Sequence, residues 1–297
     1  MGEPGSLSRR FGVPPFTVLD ARQGYWQSRK RRWMDFGVHE SGGRSDDLLF
    51  GSGLARGATP WNTSYFDPVL AEMLIAWHCP PGGLVLDPFC GGSVRGLVAG
   101  TLGRNYVGLD LRSEQIRANR SQLRRTRLVV RRPPIWKTAD ARLVDTVVDG
   151  RPDLVLTCPP YFNTERYSRR RDDLSNQPSY ELFAVQLREV VLRSVAPLRA
   201  NRFAVIVIGD VRGRDGNLLP ILVDTIAAFA AAGARLHNVA VLVTPAGTLP
   251  LRSGRPFERS RKLGRTHQYV LVFVKGDPVT AAKACSPIEL CDFEEKS

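Results

Sequence analysis

The sequence predicts an α/β protein with a mixed sheet of seven strands, helices on both faces and a last strand antiparallel to the others. From about residue 84 onward, short apolar runs of β type alternate with longer helical stretches, which favours a mostly parallel sheet flanked by helices. The last two predicted strands follow each other without a helix between them. The second of the two is therefore expected to be antiparallel.

The predicted strands cover residues 84–89, 105–111, 135–140, 153–158, 202–211, 238–244 and 268–276. Helical periodicity covers residues 67–78, 92–102, 113–125, 178–199 and 218–232. Gly233 is a typical C-terminal cap for the last of these helices. The stretch 245–267 between the last two strands is rich in glycine, proline and arginine, which predicts one long basic loop.

The chain is predicted to have three parts. Residues 1–60 form a basic and aromatic N-terminal extension without a long periodic element, residues 61–277 form the sheet domain, and residues 278–297 form a C-terminal tail. The extension contains RKRRW at residues 29–33. This stretch is interpreted either as a phosphate contact or as a flexible basic arm.

The composition restricts the partners. A formal net charge of +13 favours a polyanion such as nucleic acid, although a general arginine bias explains the charge equally well. The five cysteines include no C-x-x-C pair, so neither a disulfide framework nor a metal site is expected. No apolar run reaches the roughly 18 residues of a membrane span, and the N-terminus lacks the apolar region of a signal peptide. We therefore expect an intracellular protein without membrane contacts.

A glycine-rich turn follows the first strand of the predicted domain, in VLDPFCGGSVRG at residues 85–96. Gly91 and Gly92 lack Cβ atoms, so the backbone can approach a ligand closely, and the next helix offers free N–H groups. Such a turn predicts a nucleotide-like ligand, and a tight turn packed for structural reasons is the alternative.

Asp87 ends the strand before this turn, and two further carboxylates end the next two strands. Asp110 follows the glycines by about 20 residues, where an acidic side chain binds the hydroxyls of a ribose in such folds. Asp140 ends the third strand and is predicted to accept from an adenine amino group. The sequence contains no G-x-x-x-x-G-K-[ST] loop, and carboxylates repel a pyrophosphate, so a cationic adenosine derivative fits better.

A fourth strand ends abruptly in LTCPPYFN at residues 156–163. Pro159 and Pro160 cannot donate to a sheet ladder, and they place Cys158 and Tyr161 at the same edge as the carboxylates. The four motifs DPFCGG, GLDL, TADA and CPPY, in this order, resemble those of the S-adenosylmethionine-dependent DNA amino-methyltransferases, which act on adenine N6 or cytosine N4. The resemblance extends over roughly residues 61–276 and implies a class I methyltransferase fold with S-adenosylmethionine as cofactor.

Two other segments, RKLGRTHQYVLVFVKGDP and GVPPFTVLDARQGYWQ, resemble the phage-type DNA methylases more narrowly. This resemblance implies a link to phage or restriction-modification systems, and a location with the DNA of a bacterial or phage-infected cell.

The resemblance implies roles for the cofactor residues. Asp87 is expected to contact the methionine amino group of the cofactor, Asp110 the ribose and Asp140 the adenine. The remaining candidates come from the turn and from the segment TSYFDP: Pro88, Phe89, Gly91, Gly92, Thr63 and Phe66.

The resemblance also implies that the backbone carbonyls fixed by Pro159 and Pro160 accept from the target amino group, and that Tyr161 stacks on the flipped base. Cys158 departs from the family, which has Asp, Asn or Ser there. Either the Pro159 carbonyl is the main acceptor for the target amino group, or Cys158 takes the place of the Ser that the family uses on cytosine N4, or the target differs. Two other interpretations of Cys158 remain. It is either a nucleophile that adds to C6 of a pyrimidine, or a small apolar residue that packs at the end of a strand.

Six basic residues of the 245–267 stretch are predicted to contact the backbone of double-stranded DNA: Arg252, Arg255, Arg259, Arg261, Lys262 and Arg265. Two alternatives to a DNA methyltransferase stay open from the sequence. One is an RNA methyltransferase of the same fold. The other is a DNA-binding module without catalytic activity.

Overall fold

The computed structural model describes residues 6–38, 66–162, 168 and 170–296. The strands in these ranges form one sheet. They are β1 (Val18–Asp20), β2 (Leu84–Asp87), β3 (Asn105–Asp110), β4 (Ile135–Thr138), β5 (Leu154–Thr157), β6 (Arg202–Ile208), β7 (Arg235–Val243) and β8 (His267–Lys275). The seven predicted strands correspond to β2 through β8, and β1 is an eighth strand that the sequence did not predict.

The strands lie in the order β1-β7-β8-β6-β5-β2-β3-β4. Every neighbouring pair is parallel except the two pairs of β8, which is antiparallel to β6 and β7. Because β2 lies between β3 and β5, the chain builds the sheet first in one direction and then in the other. Open α/β sheets bind ligands at such a reversal, outside the carboxyl ends of the strands. The arrangement confirms the predicted class I methyltransferase fold.

The helices are α1 (Ser6–Phe11), α2 (Gly24–Asp35), α3 (Pro68–His78), α4 (Val94–Thr101), α5 (Ser113–Arg125), α6 (Val144–Val147), α7 (Tyr180–Val195), α8 (Ile221–Ala231), α9 (Leu249–Arg252), α10 (Gly254–Ser260) and α11 (Pro278–Ala284). The five predicted helices correspond to α3, α4, α5, α7 and α8. Asp67 caps α3 by accepting from the backbone N–H groups of Val69 and Leu70. Gly233 follows α8 with a φ of +83°, as its predicted capping role requires.

Helices cover both faces of the sheet, as predicted. On β5, Leu154 and Leu156 face the layer that contains α3 and α4, whereas Val155 faces α7 and α8. This alternation explains why the strand sequence is apolar throughout, because a strand buried on both faces has no polar side.

The N-terminal segment is part of this packing, which corrects the interpretation of RKRRW as a flexible arm, whereas its interpretation as a phosphate contact stays a prediction. Trp26 and Trp33 of α2 are fully buried. The buried carboxylate of Glu72 on α3 accepts hydrogen bonds from Arg29 and from the Trp33 indole at 2.8 Å. Glu72 also accepts from the backbone N–H of Cys291 at 2.7 Å, which joins the N-terminal segment, α3 and the C-terminal tail.

The strand β1 pairs with β7 in parallel, with Leu19 opposite Leu242. It escapes prediction because three residues are too few to show an alternating pattern. The division of the chain at residues 60 and 277 stays a prediction, although residues on both sides of each boundary pack together.

The stretch 245–267 differs from the predicted single loop, because it contains the short helices α9 and α10. No helix in the described ranges is long and apolar enough to cross a membrane. Among the same residues, no group of three or more His, Cys, Asp and Glu side chains is placed to hold a metal ion.

Candidate active site

A cleft of about 430 Å³ opens at the carboxyl ends of β2, β3, β4 and β5, where the strand order reverses. Its volume lies within the usual range for small-ligand sites. The cleft is lined by most of the predicted site residues: Phe66, Pro88, Phe89, Gly91, Gly92, Asp110, Asp140, Cys158, Pro159, Pro160 and Tyr161. Thr63 lies outside the described residues. Asp87 is described but does not line the cleft.

The structure differs from the prediction at Asp87, whose side chain is 0% exposed. One carboxylate oxygen accepts from the Thr157 hydroxyl at 2.9 Å and from the Phe89 N–H at 3.2 Å. The other accepts from Arg95 Nε at 2.5 Å and from the Tyr106 hydroxyl at 2.7 Å. Four donors fill the lone-pair positions of the carboxylate. Asp87 therefore holds the turn and positions Arg95, and in this arrangement it does not reach a ligand.

Arg95 on α4, and not Asp87, is the charged side chain of this cluster that lines the cleft. Its side chain is only 5% exposed, and Nη2 donates to the carbonyls of Phe89 and Cys90 at 2.7 and 3.1 Å. The guanidinium lies 4.4 Å from the ring centroid of Phe66. Burial opposes the charge, but the attraction of Asp87 together with that of Tyr106 and Cys158 outweighs it and raises the pKa of Arg95. Arg95 is thus a permanent, oriented cation in the wall of the cleft.

The glycine turn adopts the shape that the sequence predicted. Gly91 has a φ of +48°, in the region that favours glycine. Its carbonyl accepts from the Asn119 side chain at 2.7 Å, while the N–H of Cys90 donates to the carbonyl of Leu109 at 2.8 Å. These bonds fix the turn between β2 and β3 and leave the backbone facing the cleft.

Asp110 and Asp140 each pair with the arginine two residues further on. Asp110 accepts from the backbone N–H of Arg112 at 2.8 Å, and Asp140 accepts from that of Arg142 at 2.9 Å. The guanidinium of Arg142 also contacts both oxygens of Asp140. The side chains of Asp110 and Asp140 remain 16% and 20% exposed, so both carboxylates are accessible from the cleft.

The segment Cys158–Tyr161 leaves β5 next to the Asp87 cluster, because Thr157 is the last residue of the strand. Cys158 is half-buried and packs against the apolar core. The other four cysteines are buried, and burial raises their thiol pKa values, for example to about 11 for Cys285 and about 12 for Cys291. Cys158 is therefore the most exposed of the five thiols, and it lines the cleft.

The Tyr161 ring is almost enclosed, with 4% of its surface exposed. Its hydroxyl accepts from Gln268 Nε2 at 2.5 Å. The guanidinium carbon of Arg265 lies 5.5 Å from the ring centroid. Tyr161 thus lines the cleft, and an arginine lies over its ring.

The predicted DNA-binding residues fall into two groups. Most of them extend into solvent on or beside α9 and α10: Arg252, Arg255, Arg259, Arg261 and Lys262. Arg261 lies 5.3 Å from the ring centroid of Phe257 on the same helical segment. Arg265 instead joins the wall of the site beside Tyr161.

Sequence reasoning missed two of the cations that line the cleft, Arg95 and Lys30. Arg95 was visible as a charged residue inside an otherwise apolar helix directly after the glycine turn. Lys30 of α2 lines the cleft and pairs with Asp67 at 2.9 Å. Only the fold shows that α2 reaches this edge of the sheet, and no local signal indicates it.

Residues 63–121 match the family model described as DNA methylase, of the N6/N4 class. No curated protein sequence matches the chain.

Three solved structures are similar to the chain. TrmN from Thermus thermophilus is 19% identical over 71% of this chain and 49% of its own, with a TM-score of 0.44. A methyltransferase from Pyrococcus furiosus is 14% identical over 84% of this chain and 100% of its own, with a TM-score of 0.46. A second protein from Thermus thermophilus, described as a DNA modification methylase, is 23% identical over 47% of this chain and 51% of its own, with a TM-score of 0.34.

The chain spans about half the length of TrmN. Because all three TM-scores lie below 0.5, the fold assignment rests on the strand order. The DNA methylase match begins shortly before α3 and ends within α5, so it includes the glycine turn and Asp110. The chain thus has the strand order of the class I methyltransferase fold and resembles, over residues 63–121, the N6/N4 class of DNA methylases.

Proposed function

We propose that the protein transfers a methyl group from S-adenosylmethionine to an exocyclic amino group, adenine N6 or cytosine N4, of a base flipped out of double-stranded DNA. The observation that carries the proposal is the position of Cys158–Tyr161. This segment leaves β5 at the cleft, beside the turn after β2 and opposite the carboxylates that end β3 and β4. A base on Tyr161 and a cofactor on the carboxylates then share one cleft.

The chemistry of the cleft suits the cofactor. Asp110 and Asp140 line the cleft, where their carboxylates are positioned to accept hydrogen bonds from the ribose hydroxyls and the adenine amino group. We assign the carboxylate of the methionine part to Arg95, because its Nη1 has no hydrogen-bond partner among the described residues while its other nitrogens are fixed. A hydrogen bond to such a charged group contributes about 1.5–3 kcal/mol. Arg95 thus replaces Asp87 as the residue that contacts the methionine part.

Bound S-adenosylmethionine supplies a methyl group on a positively charged sulfonium. The protein's part is to hold the target amino group in line with it, which is the main source of acceleration in such transfers. The Pro159 carbonyl accepts a hydrogen bond from the amino group, so the nitrogen lone pair is freer to attack. The nitrogen would bond to the methyl carbon as the carbon–sulfur bond breaks and leaves its electron pair on sulfur, and the amino proton would pass to water. Tyr161 holds the base by stacking.

Cys158 is assigned a packing role. Its side chain contacts the apolar core, and free cysteine packs as a small hydrophobe. The Pro159 carbonyl then acts as the principal acceptor. A nucleophilic Cys158 implies methylation of a ring carbon instead, and the identity of the methylated atom separates these two interpretations.

The exposed basic residues on α9 and α10 are proposed to contact the phosphates of DNA. They lie on the segment that leads from β7 back to β8, and Arg265 at its end reaches the cleft. Phosphate contacts of this kind position a duplex without reading its sequence. The phage-type subgroup, the restriction-modification role and the location with cellular DNA stay predictions.

The test is methyl transfer from labelled S-adenosylmethionine to unmethylated double-stranded DNA and, in parallel, to RNA. Tyr161→Ala serves as the control, because it removes the stacking surface but none of the cofactor carboxylates. We expect label on DNA with the native protein and none with Tyr161→Ala. Label confined to RNA would favour the RNA methyltransferase alternative, and cofactor binding without transfer to either would favour the binding module.

A further inference from the structure

Arg265 lies over the ring that the proposed function assigns to the target base. Its guanidinium carbon is 5.5 Å from the Tyr161 centroid, within the range of a cation–π contact. Tyr161 belongs to the same buried apolar cluster as Leu174 and Phe183, and its ring is only 4% exposed. A base cannot stack on Tyr161 in this arrangement unless Arg265 moves.

Neighbouring groups hold the Arg265 guanidinium beside the Tyr161 ring. Its Nη1 donates to the backbone carbonyl of Asp210. Gly209 leaves room for this contact, since a Cβ atom at that position would lie 2.8 Å from Arg265 Nη1 and 3.2 Å from the Tyr161 hydroxyl. Gln268 fixes the Tyr161 hydroxyl from β8. The Arg265 guanidinium therefore occupies the space that Gly209 leaves open beside the Tyr161 ring.

Arg265 can leave this place at small cost to the fold. The residue is exposed to solvent, and it ends the basic segment that carries Arg255, Arg259 and Arg261. Its partners are one carbonyl and one ring face, and no carboxylate pairs with it among the described residues. A guanidinium is planar, as a base is, so the two compete for the same ring face.

We propose that Arg265 is a plug of the base site, which covers Tyr161 in the DNA-free protein and is drawn away when the basic segment binds phosphates. The plug rests on the proposed function, because it takes Tyr161 as the stacking surface for the base. It makes access to the active site conditional on DNA binding.

The first test needs no nucleic acid. Tetranitromethane nitrates accessible tyrosines, and mass spectrometry of peptides reports nitration at Tyr161. Two variants open the plug in different ways: Arg265→Ala removes the guanidinium, whereas Gly209→Ala pushes it aside and keeps its charge. Arg261→Ala is the matched control, since its guanidinium lies over Phe257 instead. We expect faster nitration of Tyr161 in the first two variants and the native rate in the control.

The second test is methyl transfer to a short single-stranded DNA, whose bases need no flipping. Gly209→Ala keeps every charge, so we expect its KM for this DNA to fall about two- to five-fold, the size of an exposed cation–π contact, with kcat unchanged. Arg261→Ala should raise KM, because it loses only a phosphate contact.

Equal nitration of Tyr161 in the native protein and in Gly209→Ala overturns the plug, as does an unchanged or higher KM in that variant. If nitration rises but the native protein methylates no DNA, the shielding of Tyr161 by Arg265 stands and the proposed function fails. The two claims are thus separated.

Discussion

The buried pair of Asp87 and Arg95 makes the stability of the glycine turn depend on one carboxylate. The substitution Asp87→Asn is isosteric, but an amide has one acceptor oxygen where the carboxylate has two. Its NH₂ group therefore faces two hydrogen-bond donors in either orientation of the amide. In one orientation the donors are Arg95 Nε and the Tyr106 hydroxyl, and in the other they are the Thr157 hydroxyl and the Phe89 N–H. Arg95 also becomes a buried cation without a counter-ion.

Breaking a buried ion pair on one side typically costs about 3–5 kcal/mol. At roughly 2–4 °C per kcal/mol for a protein of this size, the melting temperature of Asp87→Asn should fall by roughly 6–20 °C. Replacing both partners is often neutral, so the double variant Asp87→Asn with Arg95→Met should regain most of this loss.

The assay is urea unfolding of the native protein and of the two single and one double variants, together with calorimetric titration of S-adenosylmethionine. The double variant should be stable yet bind the cofactor roughly 10-fold or more weakly, because the Arg95 contact is missing. A loss below about 1 kcal/mol in Asp87→Asn would refute the structural role of the pair. Native cofactor affinity in the double variant would refute the ligand role of Arg95.

The site and the core support four further predictions. Tyr161→Ala should abolish methyl transfer while calorimetry still detects cofactor binding, and a parallel loss of both would exclude the stacking role. Cys158→Ala should retain transfer, whereas complete loss in both Cys158→Ala and Cys158→Ser would favour a nucleophile. Arg255→Ala and Arg261→Ala should each weaken DNA binding and reduce the salt slope by up to about 1, and an unchanged slope would remove α10 and Arg261 from the interface. Burial lowers the pKa of His78 to about 4, so as the pH falls from about 6.5 to 4 the imidazole takes up a proton in the unfolded chain but not in the folded one. The free energy of unfolding should therefore fall by about 3 kcal/mol across that window, and His78→Gln should make this fall smaller.

The regular part of the fold could be predicted because its signals are local. Strands buried on both faces are continuous apolar runs, and the helices between them carry caps such as Asp67 and Gly233. The strand β1 and the helix α2 lack such signals, since β1 has three residues and α2 is rich in arginine. Their places depend on long-range contacts such as those of Glu72.

The candidate site was predictable as a set of positions but not as a set of contacts. Four motifs at strand ends must meet at one edge of a parallel sheet, and they line the cleft as expected. Which way a side chain points is decided by its neighbours. Asp87 turns inward because Arg95, Tyr106 and Thr157 converge on it, and Arg265 turns toward Tyr161 because Gly209 leaves room.

The central claim is that the target is an exocyclic amino group, and the most direct measurement is the identity of the methylated nucleoside. Unmethylated genomic DNA is incubated with the protein and methyl-labelled S-adenosylmethionine, digested to nucleosides and analysed by mass spectrometry. We predict label on adenine N6 or cytosine N4, with none after Tyr161→Ala. Label on a ring carbon of cytosine would contradict the claim and make Cys158 the nucleophile.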